Sequence, residues 1–284
     1  MTTPPATPRD PAEPLVIYVD RGPIAVVTLN RPDRRNALSR GLVVALTDLL
    51  AVLAARPAVR VVVLNGAGPV FCAGMDLKEA AERPDDEALA IADSRAIADL
   101  LMRIRQVPQP TIAALNGDAH GGGAGLAAAC DFVVVAEKAK ISFPEARRGL
   151  VPAIVLPDLV YRVGAGRARS LLLTGTPIDA QTALACGFAD IVAPANKAGT
   201  TGGEHPNKEG AEALDAACEL AHTLLAAAPR AVSAIKRLLD EASTRRDDLR
   251  PAAAISAAAR VGDEALEGIR AFLEKRNPSW MPPT

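Results

Sequence analysis

The sequence predicts an α/β fold with parallel strand pairing, followed by an all-helical C-terminal region. Two observations lead to this prediction. Short apolar runs alternate with segments of helical periodicity as far as about residue 193, which is typical of a layered α/β core. Beyond about residue 210 every segment has helical spacing and none has the character of a strand. The chain therefore divides into an α/β body and a helical tail.

The length and composition limit the function classes. The chain has 284 residues, of which 49% are hydrophobic and 3% aromatic, so the core is built mainly of Ala, Val, Leu and Ile. This length suits one domain with an appendage. The net charge is −1, with 32 basic and 33 acidic residues. We therefore expect neither a nucleic acid nor a membrane surface as partner.

The cysteines and the N-terminus indicate a cytoplasmic protein. The four cysteines are scattered and form no CxxC, which is typical of free thiols in a reducing compartment. With three histidines, none at ligand spacing, we expect no metal site. No apolar run reaches membrane-spanning length. Residues 1–14 are polar and rich in Pro, so we expect a disordered tail without a signal peptide.

The first half of the chain predicts β-β-α-β and then a glycine turn. Residues 15–19 and 24–29 flank Arg21-Gly22-Pro23 as a hairpin. Ser39 predicts a helix N-cap before a leucine face at helical spacing. Residues 60–64 are a buried strand, and glycines break the chain after it. Asp76 then predicts a second cap, and a long helix over 86–107 ends at Pro108 and Pro110.

The second half continues the alternation. Residues 111–115 predict a strand that runs into Gly121-Gly122-Gly123 and then a helix. Further strands are predicted over 131–135, 140–143 and 188–192, with helices over 154–163, 167–173 and 180–186. Residues 15–193 form the predicted α/β core, residues 194–210 a loop insertion, and residues 211–284 the helical region. Its predicted helices span 211–228, 231–239, 251–259 and 263–276.

Two strand–glycine–helix turns, after residue 72 and after residue 120, can each direct one backbone N–H to a common point. Two converging N–H groups form an oxyanion hole, although a tight packing turn accounts for such glycines equally well. Chemistry at the carbon next to a carbonyl also needs an acid/base. Glu145 lies in a segment bounded by Pro and Gly just after a strand, where it is either that group or a surface charge.

The motifs in combination resemble the crotonase (enoyl-CoA hydratase/isomerase) superfamily. They are Leu29-Asn30-Arg31-Pro32 with Asn36-Ala37-Leu38, Phe71 to Leu77, Ile112 to Asp131, Phe143-Pro144-Glu145 with Gly149 and Pro152, and Gly268 to Trp280. The resemblance covers about residues 13–280. It implies a ClpP-like spiral of repeated ββα units with a C-terminal helical trimerisation region, and a homotrimer or dimer of trimers.

The resemblance also assigns roles to residues. The N–H groups of Met75 and Gly122 would form the oxyanion hole, and Glu145 would be the acid/base. Coenzyme A enters as part of the substrate, so no separate cofactor is implied. The residues that the resemblance places at the CoA are Arg34, Ala37, Leu38, Ala73, Asp76, Leu77, Phe272 and Lys275. Of these, Phe272 and Lys275 match positions that commonly reach the CoA of a neighbouring subunit; otherwise they are an apolar anchor and a solvated charge.

One position departs from the family pattern. Typical family hydratases have a second glutamate two residues past the glycine run, where this chain has Gly125. A single glutamate is compatible with hydration or dehydration, which we expect, with double-bond isomerisation, or with acyl-CoA binding without turnover. Gly125 would also leave space for a bulky acyl group.

The segment around Arg147 resembles branched-chain, methylglutaconyl-CoA hydratase-like members of the superfamily. Arg147 could therefore meet a substrate carboxylate, or it could form a surface ion pair. His120 and Asp118 are expected to be structural.

Overall fold

The strands and helices alternate through most of the chain, in a computed structural model that describes residues 13–82, 86–195, 210–242 and 250–279. The strands are β1 (Val16–Arg21), β2 (Ile24–Leu29), β3 (Val61–Gly66), β4 (Val70–Cys72), β5 (Thr111–Leu115), β6 (Asp118–His120), β7 (Phe132–Ala136), β8 (Lys140–Ser142), β9 (Ile178–Asp179) and β10 (Ile191–Ala193). The helices are α1 (Arg40–Ala54), α2 (Leu77–Ala81), α3 (Glu87–Gln106), α4 (Gly122–Ala128), α5 (Leu156–Thr174), α6 (Ala180–Ala185), α7 (Ala211–Leu224), α8 (Pro229–Ala242), α9 (Arg250–Arg260) and α10 (Asp263–Glu274).

The strands form two sheets. The larger sheet has the order β1-β2-β3-β5-β7-β10, and only its first pair, β1 with β2, is antiparallel. The smaller sheet has the order β4-β6-β8-β9, with β9 antiparallel to β8. Every residue of β3 and β5 is buried, as expected for parallel strands that are covered on both faces. The parallel α/β core is therefore confirmed.

Local capping fixes where several helices begin. The Ser39 hydroxyl accepts a hydrogen bond from the Leu42 N–H at 3.2 Å, which caps α1. Asp76 Oδ1 accepts hydrogen bonds from the backbone of Lys78 and Glu79, both at 3.2 Å, and caps α2. Both caps were predicted. The two helices predicted over 154–163 and 167–173 are both present within α5, because Gly164 (φ 72°, ψ 159°) is non-helical and a kink at this residue separates them.

The C-terminal helices return to the body of the protein. Helix α9 lies along α3, and α10 packs on a 3-10 turn formed by Ala146–Arg148. That contact is very close, because a Cβ at Gly268 of α10 would lie 2.3 Å from the Arg148 carbonyl oxygen. Gly149, in the left-handed region (φ 68°), would place a Cβ 2.4 Å from the Glu264 carbonyl carbon. This packing holds one end of α10 against the turn that carries Glu145.

Some predicted boundaries differ from the structure, and some predictions lie outside the described residues. The strand predicted over 188–192 begins only at Ile191, because residues 186–190 form the turn after α6. The short strands β6 and β9 were not predicted. Most of the predicted tail (residues 1–12) and insertion (residues 196–209) lies outside the described residues. No helix in the described part of the chain is long and apolar enough to cross a bilayer.

Candidate active site

A cavity of about 560 Å³ opens where the two glycine turns, the Glu145 turn and the helices α3, α9 and α10 meet. All of the predicted site residues except Leu38 line it: Arg34, Ala37, Ala73, Met75, Asp76, Leu77, Gly122, Glu145, Phe272 and Lys275. These residues come from five separate segments of the sequence. The fold thus collects nearly the whole predicted site at one concave surface.

The two glycine turns are in direct contact. Gly74 has φ 87°, and a Cβ there would lie 2.6 Å from the His120 carbonyl oxygen and 3.2 Å from the Gly122 nitrogen. Because no side chain fits between the two turns, the first turn must have a glycine at this position. A Cβ built on Gly122 would in turn lie 3.8 Å from the Met75 nitrogen. The Met75 and Gly122 amides are therefore neighbours across the contact.

Both of these amides are available to a ligand. Gly122 is the first residue of α4, so its N–H has no partner within the helix. The Met75 N–H follows a tight turn and precedes α2. Neither N–H donates a hydrogen bond to any acceptor among the described residues. Two free amides beside each other at a helix N-terminus are suited to an oxygen that gains negative charge.

Glu145 lies next to these amides. Its Oε1 would be 2.9 Å from a Cβ at Gly121, whose positive φ of 52° favours glycine. Its Oε2 is buried and has no hydrogen-bond partner in the part of the chain that the structure describes. Burial raises the pKa of the Glu145 carboxyl to about 7, against the smaller opposing effects of its own backbone N–H and the Arg148 charge. A carboxyl with a pKa near neutrality can both accept and donate a proton.

Arg148 also lines the cavity, and the sequence did not single it out. It follows Glu145 by one turn of the 3-10 helix, and its guanidinium lies 4.7 Å from the centre of the Phe272 ring. Burial lowers the pKa of this guanidinium, and the Glu145 carboxylate counteracts that effect. Arg148 is three positions after Glu145, which is about one helical turn, and this spacing was the signal available in the sequence. Because the sequence predicts a strand and then a loop around Glu145, it gave no reason to expect helical spacing there.

The predicted CoA-binding residues contribute in different ways. Arg34 and Lys275 are exposed cations that line the cavity. The Asp76 carboxylate is already used, since Oδ2 accepts from Arg31 at 3.0 Å while Oδ1 caps α2. Leu38 is buried and lies behind the cavity wall, where its N–H donates to the Gly74 carbonyl oxygen at 2.8 Å. Leu38 supports the turn at Gly74 from behind the cavity wall.

Phe272 and Lys275 line the cavity of their own chain. Helix α10 carries Phe272, and Lys275 directly follows it with φ 55°. The family resemblance predicts that these two residues reach a neighbouring subunit's CoA, or that they serve as an apolar anchor and a solvated charge. In this structure the packing of α10 on the 146–148 turn brings both to the same cavity as Glu145.

The expectation that Gly125 leaves space for an acyl group is wrong. Gly125 is buried in α4, and a Cβ there would lie 2.2 Å from Val155 Cγ1 and 3.0 Å from Val155 Cβ. The Val155 side chain fills the volume, and Val155 itself lines the cavity. An apolar group thus stands where typical family hydratases would have their second carboxylate.

Arg147 points away from the cavity. Its Nε donates to the Thr174 carbonyl oxygen at 2.6 Å, and its Nη2 donates to the Thr176 hydroxyl at 3.0 Å. Arg147 does not line the cavity, and it forms no ion pair with any of the described residues. The methylglutaconyl-CoA-like subgroup therefore stays a prediction without support from Arg147. His120 contacts Ser142, with 2.8 Å between Nδ1 and Oγ, and its Nε2 is 3.7 Å from Asp118.

The chain is similar to known proteins over most of its length. The family model described as enoyl-CoA hydratase/isomerase matches residues 20–282. A putative enoyl-CoA hydratase of Thermus thermophilus is 39% identical over 270 residues, which cover 93% of this chain and 100% of that protein. An enoyl-CoA isomerase/hydratase of Mycosarcoma maydis is 36% identical over 220 residues, covering 74% of each chain.

A solved structure has the same architecture. The crystal structure of a putative enoyl-CoA hydratase from Mycobacterium avium paratuberculosis matches with a TM-score of 0.81 at 35% identity, and covers 94% of this chain and 100% of its own. Sequence, fold and the arrangement of the two glycine turns lead to the same assignment: this chain belongs to the enoyl-CoA hydratase/isomerase family of the crotonase superfamily, whose substrates are acyl-CoA thioesters.

Proposed function

We propose that this enzyme hydrates the double bond of a 2-enoyl-CoA thioester, or removes water in the reverse direction, with Glu145 as its single acid/base. One observation carries the proposal: Glu145 Oε2 and the amides of Met75 and Gly122 lie at the same cavity, and none of the three has a hydrogen-bond partner among the described residues. A buried carboxylate oxygen without a partner costs stability, which is typical of a group retained for its chemistry.

The chemistry follows from the positions of these groups. The thioester oxygen accepts hydrogen bonds from the Met75 and Gly122 amides, and each donor stabilises the transition state by about 3 kcal/mol. Glu145 removes a proton from a water molecule as the water oxygen bonds to the β-carbon. The electron pair of the double bond moves towards the thioester oxygen and forms an enolate. Glu145 then returns the proton to the α-carbon, so the atoms of one water are added.

We also propose where the CoA phosphates bind, how the chain assembles and in which compartment it lies. The exposed cations Arg34 and Lys275 would hold the phosphates of the CoA at the cavity mouth. For a homotrimer or dimer of trimers, the supporting feature is the exposed apolar face of α8, formed by Ile235, Leu238 and Leu239. The free thiols of Cys72 and Cys130, both buried, favour the cytoplasm.

The test is turnover of 2-enoyl-CoA, followed by the loss of absorbance of the conjugated thioester. We expect Glu145→Gln to abolish turnover while CoA binding changes by less than a few-fold. The matched control is Glu219→Gln, an exposed position on α7 that lies outside the cavity. Unchanged turnover in Glu145→Gln would contradict the role of Glu145. Binding without any turnover by the wild type would favour the non-catalytic alternative.

A second candidate, isomerisation between 3-enoyl-CoA and 2-enoyl-CoA, has one observation in its favour. Residue 125 is glycine and the Val155 side chain occupies the volume beside it, so no carboxylate stands at this position to orient a water molecule. A single carboxylate can move a proton from the α-carbon to the γ-carbon without any water. Incubation with a 3-enoyl-CoA distinguishes the two reactions. An isomerase would convert it to the 2-enoyl-CoA and so create the conjugated absorbance, whereas an enzyme that only hydrates 2-enoyl-CoA would create none.

A further inference from the structure

The cavity has a polar wall that the proposed proton transfer does not use. Three side chains form it: Ser94 on α3, and Ser256 and Arg260 on α9. Ser94 is 5% exposed and Arg260 is 7% exposed, so both polar groups are more than nine-tenths buried yet line the cavity. Polar side chains buried to this extent are normally paired within the protein.

The Ser94 hydroxyl has no partner in the described residues. Serines within helices often donate to the carbonyl four residues earlier, but Ser94 makes no such bond. By contrast, Ser256 is satisfied, since its hydroxyl donates to the Val151 carbonyl oxygen at 3.1 Å. A hydroxyl that faces a cavity without a partner is a hydrogen-bond donor available to a ligand.

Arg260 uses only part of its hydrogen-bonding capacity. Its Nη1 donates to Asp93 Oδ2 at 3.1 Å and lies 4.0 Å from Met75 Sδ. The Nε and Nη2 groups have no acceptor within the described residues. Arginine carries five N–H donors in a planar fork that matches the two oxygens of a carboxylate. A neutral hydroxyl on the ligand would engage only one of them.

Asp93 does not depend on Arg260 for charge balance. Arg40 donates to Oδ1 of Asp93 at 2.7 Å and to its Oδ2 at 3.0 Å, and also forms an ion pair with Glu79 at 3.4 Å. Removal of Arg260 would therefore leave Asp93 with a bidentate partner. The Arg260 guanidinium can therefore bind a second anion in addition to Asp93.

The position of Arg260 relates this wall to the acyl part of the substrate. Met75 supplies one of the proposed oxyanion amides, and its own side chain reaches Arg260. The Met75 side chain therefore extends from its own amide to the Arg260 guanidinium, while Arg34 and Lys275 provide positive charge elsewhere along the cavity, where we propose that the CoA phosphates bind. An unsubstituted hydrocarbon chain placed here would bury the Ser94 hydroxyl and the Arg260 donors without partners.

We infer that Arg260 and Ser94 form a subsite for a carboxylate on the acyl chain, so that the preferred substrate is an enoyl-CoA whose acyl group carries a second, free carboxylate. This inference rests on the proposed function. Arg260 would bind the carboxylate through Nε and Nη2, and Ser94 would donate to one of its oxygens.

The test compares pairs of 2-enoyl-CoA substrates of equal chain length, from four to eight carbons, ending either in a methyl group or in a carboxylate. We expect the wild type to favour the carboxylate member of the best pair by about tenfold or more in kcat/KM, as for a charge-assisted hydrogen bond. Arg260→Met, which keeps the apolar stem, should remove this preference through KM and leave the methyl-terminated substrate within a few-fold. Ser94→Ala should reduce the preference by about fivefold.

Arg103→Met is the matched control, because Arg103 is exposed on α3 and lies outside the cavity. A wild type that prefers the methyl-terminated member of every pair would overturn the subsite, although the proposed function would stand. An equal loss of kcat/KM for both substrates of a pair in Arg260→Met would also overturn the subsite, because it would indicate that Arg260 only holds α9 against α3.

If neither member is turned over, the proposed function fails. Calorimetric binding of the saturated acyl-CoA pair then still tests the subsite, with tighter binding of the carboxylate member expected.

Discussion

Replacing Glu145 with glutamine should make the protein more stable at alkaline pH. A carboxyl whose pKa is raised from 4.5 to about 7 in the folded state holds its proton where the unfolded chain has already lost it. Stability therefore falls as pH rises from about 4.5 to about 7. At about 1.4 kcal/mol for each pH unit, the loss above pH 7 amounts to about 3 kcal/mol. Glutamine carries no charge at any pH and avoids this loss.

The assay is thermal unfolding of wild type, Glu145→Gln and the control Glu219→Gln between pH 4.5 and pH 8. For a chain of this length about 3 kcal/mol corresponds to roughly 6 °C in Tm. We expect the advantage of Glu145→Gln over wild type to grow by about this amount across the range, while Glu219→Gln follows wild type. A Glu145→Gln advantage that is the same at pH 4.5 and pH 8 would refute the raised pKa and the burial that causes it.

Three further predictions concern Arg148, Gly122 and Gly125. Arg148→Met removes a positive charge that lowers the pKa of Glu145, so the acidic limb of the kcat/KM profile should move to higher pH; an unmoved limb would show that the two groups do not interact. Gly122→Pro removes one oxyanion donor at a helix position that tolerates proline, and kcat should fall about 100-fold; full kcat would contradict that role. Gly125→Ala should cost about 1–3 kcal/mol in urea unfolding because of Val155 Cγ1, and Val155→Ala in the same chain should restore most of that loss; no cost in Gly125→Ala would disprove the contact.

Local signals in the sequence predicted much of the fold. Ser39 and Asp76 cap the helices that follow them, because capping depends only on residues two or three positions away. Strand β5 has the predicted bounds, since Pro108 and Pro110 separate it from α3. The strands β6 and β9 escaped prediction because runs of two or three residues carry no periodicity.

The sequence predicted those parts of the site that lie within short sequence motifs. It did not predict those that depend on side chains far away along the chain. Met75, Gly122 and Glu145 line one cavity as the resemblance implied. Val155, which closes the space at Gly125, comes from a segment whose path is set by tertiary packing. Arg260 is separated by 167 residues from its partner Asp93, and no sequence spacing could have paired them.

The most direct test of the central claim is incorporation of solvent deuterium at the α-carbon of the acyl-CoA, measured by mass spectrometry during incubation in D₂O. If Glu145 carries the proton while the Met75 and Gly122 amides hold the thioester oxygen, the wild type incorporates deuterium and Glu145→Gln incorporates none above the uncatalysed rate. Equal incorporation by wild type and Glu145→Gln would contradict the claim, because another group would then be moving the proton.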